Sequence, residues 1–267
     1  MSASPSDRKF ANTLARGLGV LQALAVSGEP LTHAGIARAT GLPKPTVSRL
    51  TYTLCTLGYL SHPERNGPFY PGPAAVILGA ASGLSVPFIP QVSGQMQRLA
   101  EETGTLCTIA LAHDRQMVLT HTWQPAGGMV LRVRDGHRIP LLGTSSGQAW
   151  VAALSAAKFE ALEPDPPLRA FRENGHMQLL RRGFTIATGA DRASGQVNAV
   201  SVPYFVPAFG APVVFSCGGP ARVMTAAHLE NETGPALRDV VQTLERQTGQ
   251  PPALIAGSRQ GRIGDDR

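Results

Sequence analysis

Leucines at 14, 18, 21 and 24 recur at helical spacing and predict a helix over about 12–26. Gly17 and Gly19 fall inside it, so packing rather than propensity must hold it. Gly28-Glu29-Pro30 breaks the pattern. Thr32 then suits an N-cap for a short helix over 33–40, with Gly41 in the C′ position. Beyond the tight turn Gly41-Leu42-Pro43, an apolar stripe of Val47, Leu50, Leu54 and Leu57 marks a third helix over about 44–57. Pro45 fits its first turn and Gly58 stops it. Tyr59-Leu60-Ser61 and Phe69-Tyr70 read as short strands around Asn66-Gly67, a pair that favours a type I′ hairpin turn. Two short helices joined by a tight turn make a helix-turn-helix, and the hairpin behind it makes a wing.

Past Pro71-Gly72-Pro73 the pattern changes. Ala74 to Ala81 is a short apolar helix, read on its own as a core helix, and Gly83 to Pro90 forms a boundary. Val92, Met96, Leu99 and Ala100 give an amphipathic helix over 91–103. Strands are expected at 105–111 and 117–122 around His113-Asp114-Arg115, then at 129–133, 138–142, 184–186, 197–206 and 212–217. Helices are expected at 148–154 and 168–182, and around Leu237, Val241 and Leu244. Hairpin-like strand spacing interleaved with helices predicts an α+β fold with an antiparallel sheet. The tail 250–267, rich in Gly, Pro, Arg and Asp, reads as disordered.

Composition narrows the class. A chain of 267 residues, 43% hydrophobic, makes one large domain or two modest ones. No apolar run is long enough to span a membrane, and MSASPSDRKF lacks a signal-peptide core, so a soluble cytoplasmic protein with no membrane partner is expected. Three cysteines without a CxxC pair exclude a disulfide scaffold and the usual cysteine zinc site. The seven histidines show no metal-type spacing, so neither metal nor cofactor is expected. The net charge of +6 is uneven. Residues 1–72 carry seven basic and three acidic side chains, a net of +4. A basic module joined to a near-neutral one suits a polyanion partner, or is simply a basic protein.

The charge falls where the helix-turn-helix falls. Lys44, Pro45, Thr46, Ser48, Arg49 and Tyr52 lie on or beside the polar face of the third helix, and their basic and hydroxyl groups suit phosphates and base edges. Arg65 at the wing tip is placed to reach a neighbouring groove. An ordinary three-helix bundle with a hairpin is the plainer alternative. Arg16-Gly17-Leu18, Leu31-Thr32, Ile36-Ala37, Thr40-Gly41-Leu42-Pro43-Lys44, Thr46-Val47, Arg49-Leu50 and Leu57-Gly58-Tyr59 resemble the winged helix-turn-helix of the IclR family of bacterial transcriptional regulators. Gly35 departs from it, where the family often has a larger, commonly acidic residue. Leu99 to Gly104 is similar to the start of the family's C-terminal domain.

The resemblance implies a DNA-binding domain over 10–72 and a linker helix and hinge over 73–87 that packs between protomers. It implies a GAF-like effector-binding domain over 88–249. The partners it implies are double-stranded operator DNA, a small organic acid or aromatic effector, and a second copy of the chain, as a homodimer or a dimer of dimers, acting as repressor or activator.

Candidate chemistry in the larger part centres on Gly143-Thr144-Ser145-Ser146-Gly147. It matches G-x-S-x-G, the nucleophile elbow of a serine esterase, and Asp191 and His228 follow in the order a triad needs. No oxyanion loop of the HGGG kind and no repeated βα pattern accompany it. As a binding loop, the same residues offer free N–H groups at a helix start, together with the hydroxyls of Thr144, Ser145 and Ser146, to a carboxylate. The stretch Pro140 to Ala149 resembles the family's pocket segment, with Leu142, Ser146 and Gln148 as departures. A differently packed helix start is the alternative. Val197 to Pro203 and Phe215 to Pro220 resemble two further pocket strands. They nominate Ser216, its neighbour Cys217, and Asn198, whose side chain faces either the pocket or away from it. Cys55 and Cys107 read as core residues, and Trp123 and Trp150 as core or as aromatic walls. The expected function is a ligand-responsive DNA-binding regulator and not an enzyme. The alternatives are the esterase, or a DNA-binding protein whose large domain only oligomerises.

Overall fold

Gly28 and Gly41, both left-handed at φ 67°, end the first two helices, α1 (Asn12–Ser27) and α2 (His33–Thr40). Thr32 caps α2 by accepting the Gly35 N–H at 3.2 Å. Three residues later α3 (Lys44–Thr56) begins, with a proline in its first turn. The computed structural model describes residues 10–64, 66–84, 88–127, 133–189 and 197–257, and divides the chain into two compact units between Pro87 and Phe88.

In the first unit Val20, Leu24, Ile36, Val47, Leu60 and Phe69 form the core. The face α1 buries is centred on Val20 and Leu24, and not on the whole leucine repeat: Leu14 and Leu18 are 63% and 50% exposed. Gly17, a weak point for helix propensity, lies against Leu50 of α3, which packs on the α1 face. Leu57, expected in the α3 stripe, is exposed, and Thr51 is buried in that helix instead.

The wing pairs β1 (Leu60–Ser61) with β2 (Tyr70–Pro71), and Phe69 bridges to Leu31. Its connection is longer than a two-residue Asn-Gly turn. Gly67 N–H bonds to the Glu64 carbonyl and closes a turn over 64–67. Arg65 lies outside the described residues. Helix α4 (Pro73–Leu84) is not a core helix, since Val76, Ile77 and Leu78 are exposed.

The second unit opens with α5 (Phe88–Thr103), which buries Val92, Met96, Leu99 and Ala100 as the pattern predicts. Strands β3 (Leu106–His113) and β4 (Gln116–Trp123) follow, joined by Asp114 and Arg115, both at positive φ as a two-residue type I′ turn requires. Next come β5 (Arg138–Pro140), α6 (Ser145–Ala153), α7 (Ala156–Glu160) and α8 (Pro166–Arg182). Then come β6 (Thr185–Ala187), β7 (Val197–Val206), β8 (Ala211–Pro220), the short α9 (Ala226–His228) and α10 (Gly234–Thr248). The strands form an antiparallel sheet in the order β5-β4-β3-β8-β7-β6. Helices α5 and α10 pack against each other and against the central strands, and α6 packs on β7 and β8 with α8 against it. The fold is α+β. Most of the strand expected at 129–133 lies outside the described residues.

Residues 250–257 depart from the expected disordered tail. Gly and Pro dominate the composition there, but the short run Ala253-Leu254-Ile255-Ala256 follows Pro251-Pro252 and forms a helical turn. Ala253 and Ala256 are buried against Ala153 and Phe205. Glu245 of α10 holds this segment. Its carboxylate accepts a backbone hydrogen bond from Ala253, and its own carbonyl accepts the Gln250 N–H at 3.0 Å. Burial raises its pKa to about 7, against the lowering effects of the Ala253 bond and Arg246. A folded-state value above the unfolded one means that stability is lost as pH rises from about 4.5 through about 7. Glu245→Gln is therefore expected to raise the melting temperature more at pH 8 than at pH 5; an equal shift at both pH values would contradict a buried, strained carboxylate.

Candidate functional site

On α3, Lys44, Pro45, Ser48, Arg49 and Tyr52 are exposed, Tyr52 at 75%, and Thr46 is half-buried. These positions share one side of the helix because the opposite side is held down. Thr51 Oγ1 donates to the Val47 carbonyl at 3.0 Å and lies 3.3 Å from His33 Nε2. Phe69 makes an edge contact with His33 and a stacked one with His62, whose ring also lies 3.1 Å from the Gly67 carbonyl. Burial, and secondarily His62, hold the His33 pKa below its ordinary value. Two histidines and a phenylalanine thus join α2, α3 and the wing. Nothing in their spacing announced this, because it depends on the wing folding back onto Leu31.

The second unit has a cavity of about 290 Å³ under the start of α6. Leu106, Leu119, Ile139 and Val197 give it apolar walls. Thr108, Ser145, Ser146 and Ser216 give it hydroxyls, and His137 also faces it. No Lys, Arg, Asp or Glu lines it among the described residues. A larger groove of about 670 Å³ between α1 and α2 gathers none of the expected site residues.

The expected pocket residues divide. Ser145, Ser146 and Ser216 meet at the cavity. Thr144 does not line it. Its hydroxyl donates to the Pro140 carbonyl at 2.9 Å and accepts the Gly147 N–H at 3.1 Å, so it is spent as the N-cap of α6. Asn198 is turned away by strand alternation, since Val197 and Ala199 line the cavity. Its amide donates to the Met224 carbonyl at 2.5 Å and accepts the Gly189 N–H at 2.6 Å, which ties two loops to β7. Cys217 borders the cavity, but its thiol lies 3.3 Å from Cys107, its partner across the strands, and both are fully buried. Burial, and then Cys107, push the Cys217 thiol well up. Trp150 packs against the core, and Trp123 stacks on His121 outside the cavity lining.

Three polar groups were missed from the sequence: Thr108 and His137, which line the cavity, and Ser201 beside it. Thr108 is the register partner of Ser216, and Ser201 Oγ lies 2.8 Å from both Ser145 Oγ and Ser216 Oγ. Thr108 and Ser201 both stand opposite Ser216 on the neighbouring strands, which only the strand register reveals.

The solved structure of an IclR family transcriptional regulator from Brucella abortus superposes with a TM-score of 0.76 and 30% identity, over 92% of this chain and 96% of that one. The chain belongs to the IclR family. The IclR helix-turn-helix domain matches residues 13–64, which hold α1, α2 and α3. The HTH-type regulator TsaQ1/TsaQ2 of Comamonas testosteroni is 27% identical over 91% of both chains. An IclR homologue from Microbacterium hydrocarbonoxydans, solved in complex with 4-hydroxybenzoate, has the same fold at 19% identity and a TM-score of 0.67, over 88% of this chain and 99% of that one. The protein is an IclR-type transcriptional regulator, and among the described residues no helix is long and apolar enough to cross a membrane.

The IclR fold uses the G-x-S-x-G stretch as a helix start. Ser145 Oγ accepts a hydrogen bond from Ser201 and has no imidazole partner among the described residues, while His228 pairs with Glu232 at 3.2 Å. Asp191 lies outside the described residues. Asn198→Ala is expected to destabilise the protein by about 1–3 kcal/mol, because it strands buried backbone groups at Gly189 and Met224. Chemical denaturation measures this, and a loss under 0.5 kcal/mol or so would mean that the loops hold without the amide.

Proposed function

We propose that the chain is a ligand-responsive regulator in which residues 10–72 bind operator DNA, 73–87 form the linker and hinge, and 88–249 sense a small organic acid or aromatic effector. The observation that carries the reading is the cavity under α6. It has apolar walls and a cluster of hydroxyls, and stands at a helix N-terminus. That end of a helix favours negative charge, and the first N–H groups of a helix lack intrahelical partners. Thr144 takes up the donors of Gly147 and Gln148, which leaves those of Ser145 and Ser146 for an occupant. The relative solved with 4-hydroxybenzoate supports an acid of one ring.

On the DNA side, Lys44, Ser48, Arg49 and Tyr52 face a major groove, Pro45 and Thr46 approach the backbone, and Arg65 is a further candidate contact. The exposed apolar side chains Val76, Ile77 and Leu78 of α4 support association with a second copy, as a homodimer or a dimer of dimers. An effector shifts the operator equilibrium only so far as it binds the DNA-competent and incompetent arrangements differently.

The test is a thermal-shift screen of small carboxylic acids and aromatics, followed by gel shifts on the promoter beside the protein's own gene. A binding acid that changes operator affinity is expected. If no compound shifts the protein, the second unit only oligomerises. Arg49→Ala is expected to weaken specific operator binding by about 1–3 kcal/mol, and unchanged affinity would remove Arg49 from the interface. Ser216→Ala is expected to blunt the effector response with operator binding intact; a full response would move the site elsewhere.

A further inference from the structure

Helix α8 buries one side against α6 and leaves the other bare. Leu168, Gly175 and Leu179 are buried, and a side chain at Gly175 would meet Gln148 of α6, so the two helices lie close. Met177 sits two residues from both Gly175 and Leu179, about 200° around the helix at 3.6 residues per turn. It is 65% exposed, and Leu180 nearly one turn on is 68% exposed. Both line a surface groove of about 610 Å³, together with Asn174, Gln178, Arg181 and Arg182.

The charged side chains of α8 divide in the same way. Arg169 pairs with Glu160 at 2.6 Å, Arg182 pairs with Glu230 at 3.1 Å, and Arg172 lies over the Phe159 ring at 4.3 Å. Glu173 and Arg181 are exposed, and neither has a hydrogen-bond or ion-pair partner among the described residues. They stand four residues before and four residues after Met177, each within about 40° of it around the helix. The outward face therefore runs negative, apolar, positive, with Met177 at its midpoint.

That order is self-complementary. In a two-fold contact each patch meets its own copy, and a residue that touches a second one is touched by it in return. A two-fold axis at Met177 lays a second α8 antiparallel on the first and brings Glu173 of each copy level with Arg181 of the other. A polyanion on this face would be repelled by Glu173, and a bilayer would bury both charges unpaired. A second copy satisfies them in pairs and covers Met177 and Leu180. We propose that the outer face of α8 is an antiparallel, two-fold contact between two copies of this chain, centred on Met177. It is separate from the α4 face and extends the association proposed above, in which α4 joins two copies, to a dimer of dimers.

Sedimentation velocity of the full chain over a concentration series tests this. The unaltered protein is expected to pass from two copies to four. Glu173→Arg and Arg181→Glu each put like charges level at both ends of the contact. Each is expected to raise the concentration at which four copies form by about tenfold. The double variant restores opposite charges and is expected to return that concentration to within about twofold of the unaltered protein. Single variants without effect, or a double variant as weak as either one, overturn the proposal. Met177→Cys reads the register directly. Its two thiols meet at the axis, so mild oxidation is expected to join two copies, above the baseline set by Cys55 in the unaltered protein. The thiols of Glu173→Cys stand about 12 Å apart along the helices and should not join. Equal cross-linking of the two variants overturns the antiparallel register and the proposal with it. A protein that stops at two copies, unmoved by the α8 substitutions, overturns the α8 contact and leaves the α4 reading intact. One that stays single at every concentration overturns both.

Discussion

Helix α6 begins pressed against the sheet, with Ser145, Ser146 and Gly147 all buried, and that start has unusually strict terms. A buried helix N-terminus exposes donors that must find partners, at about 1–3 kcal/mol for each one left without. Thr144 answers for one of them with a single side chain, which accepts from Gly147 and donates to Pro140. Gly147 has no side chain where the Leu141 carbonyl passes, so the chain can turn tightly enough to enter the helix there. Thr185 fastens the Ser145 carbonyl from β6. The roof of the cavity, the position of the Ser145 hydroxyl and the seat of α8 behind α6 all follow from this one turn.

The same turn shows what the sequence could and could not disclose. Its small and hydroxylated residues marked it as a helix start or a nucleophile elbow, and both readings use the same five positions. What separates them is the partner of Ser145, which comes from β7, more than fifty residues further on. Helix boundaries near Thr32, Gly41 and Gly58 were legible because capping is local chemistry. The face of Asn198 was left open for a non-local reason. Adjacent strand residues face opposite ways, and without a register the choice of face is open. Residues 250–257 were misjudged because composition averages over the Ala253 to Ala256 run that packs on Phe205.

In the first unit, too, the leucine repeat of α1 overstated the core. Val20 and Leu24 face α2 and α3, and Leu14 and Leu18 remain on the surface, as do Leu57 and the apolar side chains of α4. A small three-helix unit has too little interior to bury every apolar side chain it carries. The surplus is what an associating surface requires, and it belongs to the unit with the basic face.

The cavity lining contains no Lys, Arg, Asp or Glu among the described residues, whereas the α3 face displays Lys44 and Arg49 to solvent. Under the proposed reading the two recognition events answer differently to ionic strength. Contacts with DNA phosphates release counterions and weaken steeply as salt rises. An acid held by hydroxyls and backbone N–H groups in a partly buried pocket releases no such counterion atmosphere and is screened less. Salt therefore acts as a dial that turns operator occupancy more steeply than the sensor.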